Sequence, residues 1–115
     1  MEKDFKAKLT EFKNSCRVYR REKELLQELK VRNPQIEFGT VRDRDLHRML
    51  TKETAFVERN LARLRETGGE EAVQTITELF MDMKTQAEFC ADHKVSRRQL
   101  QYSVDKWMRE IFKDD

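Results

Sequence analysis

The chain of 115 residues has room for one domain, or one small domain with an extended helical arm. Charged residues make up 40% of it and hydrophobic ones 37%, with three Gly and a single Pro, which suits helices with long solvated faces and argues against a β-sandwich or a disulfide scaffold. Seven Phe, two Tyr and one Trp are enough to anchor a core, so the composition is not that of a disordered chain.

The net charge of +2 excludes a protein that binds nucleic acid by bulk charge alone. The charge is unevenly spread. Residues 1–67 carry 17 Lys/Arg against 12 Asp/Glu, whereas residues 68–115 carry 7 against 10. A nucleic-acid surface in the second half must therefore rest on where its few bases sit. The two cysteines, Cys16 and Cys90, fall among apolar helical positions and read as reduced thiols rather than a disulfide. The amino terminus has no apolar signal core and no run approaches membrane-spanning length, so the expected compartment is the cytoplasm.

In chain order, the first element is a helix from Lys3 to about Val31. Phe5, Leu9, Phe12, Cys16 and Tyr19 step by 4, 3, 4 and 3, a heptad-like stripe, with Lys23 where the next apolar residue is due. Pro34 and Gly39 end it in "VRNPQIEFGT", and Ile36 and Phe38 are expected to tuck inward. A second helix is predicted from about Arg42 to Arg65, with Leu46, Met49, Leu50, Phe56, Val57, Leu61 and Leu64 inward. Its "TKET" stretch (Thr51–Thr54) offers a cap or a kink, and Gly68–Gly69 ends it. Pairing of these two helices gives an αα-hairpin. "GEEAVQTITELFMDM" follows as a third helix, with Ala72, Val73, Ile76, Leu79, Phe80 and Met83 on one face and Glu70 and Glu71 in its first turn, where the helix dipole favours negative charge.

The last stretch, "TQAEFCADHKVSRRQLQYSVDKW" (Thr85–Trp107), meets the demands of a helix-turn-helix. Cys90 is the small residue at the helix crossing, with Phe89 beside it, and Val95 is the apolar plug of the turn. Ser96 is the N-cap of the second helix, with Gln99 three residues on as in a capping box. Leu100, Val104, Trp107, Met108 and Ile111 form its buried stripe. Arg97, Arg98, Gln101 and Tyr102 then lie on the outward face at the helix start, where Arg suits guanine edges and Gln suits adenine edges. Gln86 opens the first short helix, a place for a phosphate contact. Lys94 holds the turn position where Gly is usual and calls for a left-handed backbone. His93 reads as a partly buried structural histidine without partner ligands for a metal. The expected DNA-binding set is Gln86, Lys94, Ser96, Arg97, Arg98, Gln101 and Tyr102. Two ordinary core helices are the competing reading; small residue, plug, cap and basic edge occurring in order favour the motif.

From about Leu61 to Phe112, the layout of "EEAVQTITELFMDM" followed by "TQAEFCADHKVSRRQLQYSVDKWMREI" resembles region 4 of sigma-70-type factors. It is more similar still to small phage and prophage transcription regulators that carry such a motif behind a helical N-terminal segment. The resemblance implies promoter binding through the last helix, with Arg97, Arg98, Gln101 and Tyr102 in contact with DNA and RNA polymerase as a further partner. Asp114 and Asp115 add negative charge near that surface.

No Gly-rich phosphate loop, His/Glu zinc pair or nucleophile elbow is present, so neither catalysis nor a cofactor or metal is expected. The basic segment "RVYRREK" (Arg17–Lys23) leaves two readings for the N-terminal helix: a seam for homodimerisation, or packing against the second helix with Arg17, Arg20 and Arg21 solvated. The expected fold is all-α, a long helix hairpin over residues 1–67 followed by a three-helix helix-turn-helix unit over 68–115, packed as one compact domain. The expected function is sequence-specific binding of double-stranded DNA by a transcriptional regulator of phage or mobile-element origin. The rival is a helical adaptor or inhibitor that binds a protein partner without reading DNA; a terminase-like packaging subunit is a third class.

Overall fold

Four helices, α1 (Glu2–Arg32), α2 (Val41–Ile76), α3 (Gln86–His93) and α4 (Arg97–Phe112), make up a computed structural model that describes residues 2–113, with no strand among them. A 3₁₀ turn at Ile36–Phe38 joins α1 to α2, and a π-helical turn at Thr77–Met81 extends α2. The terminal Asp114 and Asp115 lie outside the described residues. No helix of the described chain is long and apolar enough to cross a membrane.

The first helix begins with Glu2 and Asp4 and ends with Lys30 and Arg32, charges that complement the helix dipole at both ends. It stops at Arg32 because Pro34 disfavours helical backbone at Asn33. It then doubles back. Arg32 meets Asp43 at 3.2 Å, Lys23 meets Glu58 at 3.2 Å, and the Tyr19 hydroxyl donates to Glu58 at 2.7 Å, so α1 and α2 run antiparallel.

The residue that interrupts the apolar stripe of α1 is Glu22, which is buried, while Lys23 is exposed and reaches Glu58. Ile36 is half-buried, but Phe38 is 80% exposed rather than tucked inward. With three residues per turn, side chains two apart in a 3₁₀ helix point to different sides, so Ile36 and Phe38 do not share one. Met49 also lies outside the buried stripe of α2. "TKET" is uninterrupted helix: the Thr54 hydroxyl is buried and donates to the Leu50 carbonyl at 2.8 Å, so it caps nothing. The cap of α2 is Thr40, whose hydroxyl accepts from the Asp43 amide at 3.1 Å.

The helical path of α2 breaks at Gly69, where φ is 73° and ψ −168°. That region is open essentially to glycine alone. At Gly68 the constraint is a neighbour: a Cβ there would come within 2.6 Å of the Trp107 indole nitrogen and of the Ala72 methyl. The two glycines thus turn the chain and admit α4 against it. Beyond them Ala72, Ile76 and Phe80 are buried as the pattern requires. The wider π-helical turn then carries the chain out of register, and Met83 leaves at φ 60°, exposed instead of sharing that face.

Phe12 is the centre of the core. Its ring is fully buried and meets Phe56, Phe80 and Phe112 edge-on, at centroid distances of 6.4, 5.9 and 5.8 Å. Those partners come from α2, the π-helical turn and α4, so one α1 side chain ties three other elements together. Cys16, Leu64, Met108 and Ile111 complete the same cluster. At the periphery Arg109 of α4 binds Glu2 at 2.9 Å and lies over the Phe5 ring at 4.3 Å. Both cysteines are free, and burial pushes the Cys16 thiol up to about 12, which leaves it inert.

Candidate functional site

Both short helices at the C-terminal end are closed by paired caps. The Thr85 hydroxyl accepts from the Glu88 amide at 3.1 Å, and the Glu88 carboxylate accepts from the Thr85 amide at 3.0 Å. Ser96 and Gln99 repeat the arrangement at the start of α4, with distances of 3.0 and 3.4 Å. Each box satisfies backbone donors that a helix start leaves open. The Ser96–Gln99 box agrees with the sequence pattern. The Thr85–Glu88 box carries the same S/T-x-x-E/Q signal in "TQAE" and was not among the expected features.

The turn between α3 and α4 is made by Lys94, Val95 and Ser96. Lys94 adopts the left-handed conformation, φ 56° and ψ 45°, as expected of it from the sequence. The cost is modest because the Val95 amide still reaches the Cys90 carbonyl at 3.2 Å. Val95 departs from its expected role: it is 37% exposed and plugs nothing. Phe89 and Leu100 are the buried residues across this joint, and Cys90 is half-buried beside them.

A charged cluster braces α3 from behind. Lys84 binds Glu78 at 2.6 Å and Asp92 at 2.7 Å, and these two carboxylates hold its pKa above the ordinary lysine value. Lys84 and then His93 hold the Glu78 carboxyl below its usual range. His93 is exposed rather than partly buried; it stacks on Phe89 at 4.1 Å between centroids and meets Glu78 at 3.0 Å. No group of three potential metal ligands occurs among the described residues.

On the outward side, Arg97, Arg98, Gln101 and Tyr102 are all exposed, Tyr102 to 70%. No acidic residue stands in the first turn of α4, so the positive end of its dipole is uncompensated from within the helix. Lys94 precedes it and is exposed as well. The structure divides these side chains into two groups. Arg97 and Gln101 turn toward α3, where both donate to the Gln86 side-chain oxygen, at 3.4 and 2.9 Å. Arg98 and Tyr102 instead line a cleft of about 640 Å³ together with Glu71, Phe89, His93 and Trp107. Of the seven expected residues, Ser96 serves the cap and the other six contribute exposed or half-buried polar groups around the α3–α4 joint. The bond from Gln86 to α4 and the cleft were not expected, since both depend on how the two helices lie against each other. Comparison with protein-family models, curated proteins and solved structures finds no match to the chain.

Proposed function

We propose that this chain is a sequence-specific DNA-binding regulator of transcription, of the phage or mobile-element kind, that reads double-stranded DNA with the start of α4. The observation that carries the reading is the capped N-terminus of α4: four exposed side chains able to donate hydrogen bonds, Arg97, Arg98, Gln101 and Tyr102, and no acid in the first turn. In the helix-turn-helix geometry such residues meet base edges in the major groove, while Lys94 and the helix terminus face phosphate. Under this reading the α1–α2 hairpin is the scaffold that positions α3 and α4, and RNA polymerase is a further partner. The role is a binding one, without catalysis.

The test is selection of bound DNA from a random pool at physiological salt, followed by titration of the enriched site. The double variant Arg97→Ala/Arg98→Ala should lose specific binding and shallow the dependence of affinity on salt, because fewer phosphate counterions are released. Its circular dichroism should match the parent, since both side chains are exposed. An unchanged affinity in the double variant would refute the assignment.

A second reading has its own support. Val31, Phe38 and Val41 form the bend between α1 and α2 and are all largely exposed. Exposed apolar groups of this kind suit an adaptor or inhibitor that docks on a protein, or a homodimer. A selection that enriches no DNA sequence would favour it.

A further inference from the structure

Gln86, a phosphate contact in the sequence reading, is bonded to two residues at the start of α4. Its side-chain oxygen faces Arg97 Nη2 at 3.4 Å and Gln101 Nε2 at 2.9 Å, joining the first residue of α3 to two residues one turn apart on α4. The chemistry of these three groups fixes their orientation in sequence. A guanidinium has only donors, so the Gln86 atom that faces Arg97 must be the amide oxygen and not the amide nitrogen. Gln101 meets that same oxygen, so it must present its own amide nitrogen to it. The carbonyl oxygen of Gln101 and its second N–H then have no protein partner among the described residues, and they stand side by side when the N–H trans to the carbonyl is the one given to Gln86. A donor beside an acceptor in that arrangement matches the major-groove edge of adenine, which offers N7 as acceptor and N6 as donor.

From this geometry we infer that Gln86 is a positioning residue: it locks the Gln101 amide in the orientation that reads adenine, and Arg97 in turn locks Gln86. This inference rests on the DNA-binding reading proposed above and names the specificity of that site. Without Gln86 the Gln101 amide is free to rotate by half a turn, and either of its faces can be offered to the groove. Its base preference then weakens while α4 keeps its place, because the helix is held by its own cap at Ser96 and by Leu100 and Met108 beneath it.

The experiment uses the full chain and the DNA site enriched by selection. Variants of that site with each base pair replaced in turn are competed against it, and the position that loses discrimination in Gln101→Ala is identified. The parent should prefer A·T there. Gln86→Ala should reduce that preference on the order of 10-fold at this one position, leaving preferences elsewhere in the site standing. Gln86→Glu keeps an oxygen acceptor for both Arg97 and Gln101 and should restore the preference, even though its negative charge weakens binding to every sequence alike. A merely structural role for Gln86 gives no such rescue.

Three results would overturn the inference. One is an A·T preference retained in Gln86→Ala with affinity lowered uniformly and a shallower salt dependence, which would make Gln86 a phosphate contact. Another is failure of Gln86→Glu to restore what Gln86→Ala loses. The last is absence of any enriched site for the parent, in which case the DNA-binding reading itself falls and takes this one with it.

Discussion

Replacing Glu22 by Gln should stabilise the protein, and by an amount that depends on pH. Glu22 sits in the apolar stripe of α1, only 6% exposed, and one of its carboxylate oxygens has no hydrogen-bond partner. Burial first, then a hydrogen bond with Glu53 and the repulsion between the two carboxylates, push its pKa from 4.5 up to about 7. An acid raised in this way binds a proton in the folded state where the unfolded chain has already released it. Stability therefore falls as pH rises from about 4.5 to about 7, and the loss is complete above that window. A shift of that size corresponds to at most about 3 kcal/mol. Glu53 is exposed and water around it screens part of the penalty, so about 1–2 kcal/mol is the figure to expect. Glu22→Gln keeps the shape, abolishes the charge and lets an amide N–H donate to Glu53. Urea unfolding followed by circular dichroism at pH 8 and at pH 4.5 measures the difference. The gain should be present at pH 8 and nearly absent at pH 4.5. An equal effect at the two pH values, or a loss of stability at pH 8, would refute the account of Glu22 as a carboxylate held against its solvation.

Phe12→Ala should cost about 3–5 kcal/mol in the same unfolding assay, the range for a large ring removed from a packed core, since it empties the meeting point of Phe56, Phe80 and Phe112. Gly69→Ala should cost about 1–3 kcal/mol although a Cβ there meets nothing, because the cost is the backbone conformation alone; a thermal midpoint equal to the parent's would refute this. Gly68→Ala should also destabilise the fold but by a different route, the 2.6 Å approach to Trp107, and should shift the emission of this single tryptophan where Gly69→Ala leaves it less changed.

The elements whose partners lie close in sequence were legible from the chain. Ser96 and Gln99 form their box within one turn of helix, and Lys94 takes the left-handed backbone that the joint of α3 and α4 imposes. The apolar steps from Phe5 to Tyr19 mark the inner face of α1, which holds the buried Phe12 and Cys16. The misplacements have a common cause. Lys23 and Glu22 are neighbours, and either could fall at the gap in the stripe; that Glu22 is the buried one depends on where α2 lies against α1. "TKET" contains cap-forming threonines, but burial of Thr54 between the helices turns its hydroxyl back onto the Leu50 carbonyl. Val95 and Phe38 are apolar residues in short turns, and no neighbouring element covers either one fully.

What the sequence determined by itself is therefore local: helical periodicity, the stop at Pro34, the interruption at Gly68–Gly69 (a break within α2 rather than its end), the cap at Ser96, and the polar character of the first turn of α4. These follow from backbone sterics and from hydrogen bonds that span three or four residues. What only the tertiary structure decided is which of those features meet. Phe12 becomes the hub because three rings from distant segments converge on it, and Trp107 fits because Gly68 lacks a side chain at that spot. Gln86 reaches Arg97 and Gln101 only because α3 packs against α4. Contacts of this kind depend on side-chain volume and on the relative placement of whole helices, which a pattern along the chain does not contain.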